Sequence, residues 1–132
     1  MKSIFSIGDK KTFERRVLKE DVAKFDGKVV HPVCSTFALA RDIEWASRLF
    51  VLDMKEDDEE GIGTMLSIEH KSPALVDDLL KIEATVYRLE KNELICDFVA
   101  YVGERVIAQG QTGQRVLKKE KIEKLFSGLK NE

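Results

Sequence analysis

The sequence predicts an α+β fold: one long helix lies against a five-stranded, mostly antiparallel sheet, and a short helix follows at the C-terminal end. Three observations point there. Apolar residues recur at three- and four-residue steps from about residue 35 to 54. Four segments of alternating apolar and polar residues come after that stretch, and one weaker alternating segment comes before it. The 132 residues suit a single domain, 1–132, with its core from about residue 12 to 117 and the terminal helix from about 118 to 129.

Phe13, Arg15 and Val17 alternate with Thr12, Glu14 and Arg16, which predicts a strand over residues 12–18. Residues 19–28 are polar and read as a loop turning at Gly27. Val29-Val30-His31-Pro32 reads as extended, because the residue before proline avoids the helical region. Leu39, Ala40, Ile43, Ala46, Ser47 and Phe50 then form one helical face, and Ser35 or Thr36 can cap it. Arg41, Asp42, Glu44 and Arg48 fall off that face. The acidic run Glu56 to Glu60 reads as a solvated loop over residues 55–60. Strands are predicted over 61–70, 79–89, 93–102 and 105–117, with two-residue hairpin connections at Lys91-Asn92 and Gly103-Glu104. Ile122, Leu125, Phe126 and Leu129 share one side of the terminal helix.

A single helix of about 20 residues covers only one face of five strands. The remaining surface predicts self-association as a twofold homodimer, with a tetramer as the alternative; the terminal helix either docks a second dimer or covers the sheet edge.

Composition removes several function classes. Hydrophobic residues make up 43% of the chain, enough for a core. The 22 basic and 24 acidic residues leave a net charge of −2, which argues against nucleic-acid binding. No apolar run approaches the ~20 residues of a membrane span. Residues 1–11 lack an apolar signal segment, so a cytoplasmic location is expected. Cys34 and Cys96 form no CxxC pair and are expected to be reduced thiols; with two histidines they predict no metal centre. Lys and Glu are abundant while Asn and Gln are scarce, a bias reported for proteins from hot environments.

Gly61-x-Gly63 and Gly110-x-x-Gly113 lack the lysine and the strand–turn–helix context of a phosphate loop, and neither HExxH nor G-x-S-x-G occurs. What remains is a small polar set: Thr36 near the start of the long helix, Glu44 inside it, and His70 at the end of a well-patterned strand. Each also has a plain structural reading, as a helix cap, a solvent-facing helix residue and a surface histidine respectively. Together they suit ester or thioester hydrolysis. A carboxylate serves as general base or nucleophile, a histidine moves a proton, and a hydroxyl with helix-terminal N–H groups holds the carbonyl oxygen. Eight helical residues separate Thr36 from Glu44 by ~12 Å, so the two meet around one atom only if Thr36 lies in the loop before the helix. Pro32 favours that loop.

With these residues in place, the chain resembles the hotdog fold, and within it the fluoroacetyl-CoA thioesterase-like family. The resemblance runs from about residue 13 to 117. It is carried by Thr36-x7-Glu44, by Gly63-Thr64-x5-His70-x-x-Pro73, and by the strand from Gly110 to Arg115. The resemblance implies acyl-CoA thioester hydrolysis without a cofactor, coenzyme A entering as part of the substrate. It also implies a homodimer whose sheets join edge to edge, with active sites near the subunit interface.

By resemblance, Glu44 is the base or nucleophile, His70 the proton-transfer partner and Thr36 the group that orients the thioester. Gly63 lets substrate approach closely, and Arg115 is a structural or CoA-facing arginine. Cys34 and Ser35, beside Thr36, are expected at the substrate and offer rival nucleophiles. The sequence departs from the family at Asp77, where a glycine is usual, and in its last strand, which is one residue longer and lacks a histidine. Fluoroacetyl specificity is therefore not carried over. Val33, Phe37 and Ile68 around Thr36 and His70 suggest a short or medium acyl group. The alternative function is a non-catalytic hotdog domain that binds acyl-CoA or another small ligand. A hotdog hydratase is the less favoured enzyme reading.

Overall fold

The computed structural model describes residues 1–130; residues 131 and 132 of the expected 1–132 domain lie outside the described residues. Seven strands and two α-helices follow in the order β1 (Lys10–Arg16), β2 (Val22–Phe25), β3 (Lys28–Cys34), α1 (Thr36–Met54), β4 (Glu59–His70), β5 (Leu79–Glu90), β6 (Glu93–Val102), β7 (Arg105–Lys118) and α2 (Lys119–Leu129). A single 3-10 turn, Lys19–Asp21, precedes β2. Five strands form one antiparallel sheet in the order β1-β5-β6-β7-β4, and β2 pairs with β3 in a separate hairpin.

The core lies between α1 and one face of the sheet. Leu39, Ile43, Ala46, Phe50 and Met54 of α1 pack with Leu80, Ile82, Ala84 and Val86 of β5 and with Cys96, Phe98 and Ala100 of β6, all fully or almost fully buried. The helical spacing of four residues and the strand spacing of two put these side chains on facing surfaces. Ser47, also buried, accepts a 2.7 Å hydrogen bond from the Thr112 hydroxyl of β7, and its own hydroxyl reaches the Ile43 carbonyl at 3.4 Å. No described helix is long and apolar enough to cross a membrane.

Four expectations change. Residues 19–28 are not simply a loop. They hold β2 and the turn into β3, where Asp26 (φ +53°) and Gly27 (φ +75°) both adopt the left-handed backbone of a tight hairpin. Asp42, expected off the apolar face, is buried, and so is Asp21. Arg15 and Arg41 enclose both carboxylates at 3.2–3.7 Å, and this lets the charges leave water. The acidic run is not wholly solvated. Glu59 opens β4, is buried, and accepts from the Glu56 N–H at 2.9 Å. Finally, Thr36 lies inside the helix rather than before it. Ser35 takes the cap position, its hydroxyl accepting from the Ala38 N–H at 3.0 Å.

Asp77, where the family usually has glycine, sits at φ +74°, the backbone region that glycine adopts without strain. The strand β4 is an edge: it pairs with β7 on one side only, and its stretch from Gly63 to Ser67 is exposed. The apolar side of α2 is not buried against the sheet, with Leu125, Phe126 and Leu129 all at least half exposed.

Candidate active site

Two cavities flank the exposed side of α1. The first, of about 410 Å³, opens at the helix N-terminus and is lined by Cys34, Ser35, Thr36 and His70, with His31 and Val33 from the hairpin and Leu39, Ala74 and Ile107 from the core. Here Thr36 Oγ1 and His70 Nε2 stand 3.0 Å apart, a hydrogen bond that joins the first residue of α1 to the last residue of β4. Either partner donates, according to the imidazole tautomer. Thr36 is thus not the cap; its hydroxyl faces the histidine, and when the imidazole N–H donates, the hydroxyl proton is left for a second acceptor.

The cap geometry leaves two backbone donors at this end. Ala38 N–H is taken by Ser35 and Leu39 N–H closes the first helical turn onto the Ser35 carbonyl at 3.0 Å. Among the described residues, no hydrogen-bond acceptor is recorded for the N–H groups of Thr36 and Phe37, which sit at the positive end of the helix dipole. Cys34 shares the cavity, but burial pushes its thiol up to about 11, and Asp21 and Asp42 push in the same direction. A thiol held protonated is a poor nucleophile.

The second cavity, of about 540 Å³, lies two turns further along α1. Glu44, Trp45 and Arg48 line it with Phe13 and Arg15 of β1, Gly61, Gly63 and Met65 of β4, and Thr112 to Gln114 of β7. Its three arginines are all engaged by carboxylates: Arg15 and Arg41 by Asp21 and Asp42, and Arg48 by Glu60 at 2.9 Å. Glu44 is exposed and has no hydrogen-bond or ion-pair partner among the described residues. A side-chain carbon at Gly63 would meet nothing within 4 Å, so the absence of one there leaves the cavity open.

The structure brings Thr36, His70, Cys34 and Ser35 together and sets Glu44 with Gly63 apart from them. Thr36 and Glu44 lie on one helix, ~12 Å apart along its axis, so they do not converge within one chain. Arg115 is among the residues lining neither cavity; it is half exposed and pairs with Glu93 at 3.4 Å. Sequence reasoning missed the hairpin wall of the first cavity, although Asp26-Gly27 is a strong short-range hairpin signal.

Comparison with known proteins bears on the fold and the family. The family model described as fluoroacetyl-CoA-specific thioesterase matches residues 17–120. No curated protein matches the chain. Among solved structures, a Thermus thermophilus hypothetical protein, described as a thioesterase superfamily member, is 31% identical, with a TM-score of 0.91 over 98% of this chain and 96% of that one. The fluoroacetyl-CoA thioesterase FlK is 18% identical, with a TM-score of 0.87 over 96% of this chain and 98% of that one. A hot-dog-like protein from Thermanaerovibrio acidaminovorans is also 18% identical, with a TM-score of 0.86 over 94% and 92% of the two chains.

Proposed function

Since the chain belongs to the fluoroacetyl-CoA-specific thioesterase family of hotdog proteins, we propose that it hydrolyses acyl-CoA thioesters at a site shared between two copies, Thr36 and His70 coming from one and Glu44 from the other. The observation that carries this reading is the split geometry: a hydroxyl–imidazole pair at 3.0 Å in one cavity, and an unpaired carboxylate in another, ~12 Å along the same helix. In this reading a twofold axis sets the N-terminal end of one helix beside the middle of the other.

The exposed edge of β4 offers the joint. Antiparallel pairing of β4 with its own copy about an axis near Leu66 and Ser67 sets the Gly63 end, beside Glu44, against the end of the partner strand that carries His70. The outer face of the sheet supports a different role: Lys81, Glu83, Asp97 and Gln109 make it polar, so the edge rather than that face suits self-association.

In this reading the Thr36 and Phe37 N–H groups and the Thr36 hydroxyl hold the thioester carbonyl, whose oxygen gains negative charge as the tetrahedral intermediate forms. Glu44 either removes a proton from the attacking water or attacks the carbonyl itself, to be released by water in a second step. The C–S bond then breaks, and His70 gives the departing coenzyme A thiolate its proton. The products are a carboxylic acid and the free thiol. The apolar wall of Val33, Leu39 and Ile107 suits a short or medium acyl group. The protein needs no added cofactor, and the cytoplasm is where its substrate would be met.

Subunit mixing tests the shared site. Glu44→Gln and His70→Ala homodimers are each expected to be inactive towards a panel of acyl-CoAs followed with a thiol-trapping reagent. Mixed and re-equilibrated, they should regain roughly a quarter of wild-type activity, because half the dimers are mixed and each mixed dimer holds one intact site. No recovery after demonstrated subunit exchange sinks the shared site. A stable monomer by sedimentation at micromolar concentration sinks it as well.

A further inference from the structure

We propose that Arg105 is a positioning residue that sets the Thr36–His70 contact by bracing the loop between β4 and β5. The inference rests on the hydrolytic reading of that pair.

His70 ends β4, and the chain must turn away at once. Two backbone donors fix that turn: the N–H groups of Lys71 and Ser72 both reach the Ile107 carbonyl, at 2.8 and 3.2 Å. Two residues before Ile107, Arg105 extends a guanidinium across the same loop. Its Nη1 donates to the Ser72 hydroxyl and, at 2.5 Å, to the Pro73 carbonyl, while Nη2 stands 3.7 Å from Asp78 Oδ2. Asp78 Oδ2 in turn accepts from the Leu75 N–H at 2.8 Å. One planar cation thus ties the start of the loop to its end, a task that needs several donors in fixed directions.

The same loop supports the other half of the pair. The Ala74 carbonyl accepts from the Cys34 N–H at 2.8 Å, and Leu75 bridges to Val33. Cys34 lies two residues before Thr36. A shift of the loop therefore moves both partners of a hydrogen bond that has only a few tenths of an ångström to spare. Arg105 is itself well placed to stay still. It begins β7 directly after the tight β6–β7 turn, where Gly103 takes φ +58°, and it pairs in register with Val102. The guanidinium is 43% exposed, so its ion pair adds little to stability and its contribution is one of geometry.

The test compares Arg105→Ala, Arg105→Lys and Ser72→Ala with the wild type. The readouts are steady-state kinetics and the ring nitrogen NMR signals of the chain's two histidines. In Arg105→Ala, kcat is expected to fall about tenfold with KM within twofold, as for a small misplacement of a reacting group. The His70 ring signals should move, those of His31 less. Arg105→Lys keeps the charge but not the fork and should stay close to Arg105→Ala; Ser72→Ala should show a smaller change in the same direction.

Unmoved His70 signals in a folded Arg105→Ala variant overturn the proposal, whatever happens to activity. Should that variant not fold, unmoved signals in Ser72→Ala overturn it instead. Moved signals combined with full hydrolysis by His70→Ala leave the positioning role standing and sink the hydrolytic reading.

Discussion

At the N-terminal end of α1 the functional groups are paired within the chain, whereas two turns further on Glu44 stands among three arginines and pairs with none of them. The first cavity is built by local closure. The helix cap, the end of β4 and the loop held by Arg105 converge there, and the Thr36–His70 bond results. The second is built by exclusion: each arginine already has a carboxylate, and Gly63 withholds a side chain. A carboxylate left unpaired in a cavity is available for a group from outside the chain, the part the proposed mechanism gives Glu44. The contrast is that one helix presents a self-paired polar group to one cavity and an unpaired carboxylate to the other.

The largest effect should come from the unpaired half. Glu44→Gln is expected to lower kcat by about a thousandfold or more, the scale of a lost base or nucleophile. Its melting temperature should barely change, because an exposed residue without partners contributes within about 0.5 kcal/mol. Full activity in that variant, measured by thiol release from acyl-CoA, would erase the functional difference between the cavities.

A smaller effect tests whether the open space beside Glu44 is used. Gly63→Val fills room that no other residue of the same chain occupies, so the fold of the chain should tolerate it, and KM for the preferred acyl-CoA is expected to rise about tenfold. An unchanged KM in the folded variant would remove the second cavity from substrate binding.

The smallest effect concerns the rival nucleophile in the first cavity. Cys34→Ser should keep kcat within about twofold. With the thiol pushed up to about 11, only about one molecule in a thousand carries the thiolate at pH 8. Alkylation by iodoacetamide, followed by mass spectrometry, should accordingly be slow at pH 8 and rise about tenfold per pH unit until pH reaches that value. Fast labelling at neutral pH would make Cys34 a competitor to Glu44.

Much of the scaffold was legible because its signals are periodic and local. The alternation of Leu80, Ile82, Ala84 and Val86, and of Leu94, Cys96, Phe98 and Ala100, marked the central strands whose inward faces are buried. Spacing alone placed Leu39, Ile43, Ala46 and Phe50 on the packed side of α1. The strand β2 was not legible in that way: Val22-Ala23-Lys24-Phe25 has only four residues, no alternation, and an exposed Phe25. Asp42 was misread because its burial depends on Arg15, a residue 27 positions earlier on another strand.

The candidate site was legible only in pieces. Thr36, Glu44 and His70 stood out by residue type and by resemblance to a family, yet nothing in their spacing says which two touch. Taken alone, the sequence determined a long helix on an antiparallel sheet, its buried stripe and a short list of reactive side chains, because these follow from periodicity and residue chemistry. The tertiary structure decided that Thr36 bonds to His70, 34 residues away, that Glu44 faces a different cavity, and that Arg105 braces the loop between β4 and β5. Those outcomes depend on where a cap closes, how a strand ends and which carboxylates claim the arginines, and such choices are made by packing between elements distant in sequence.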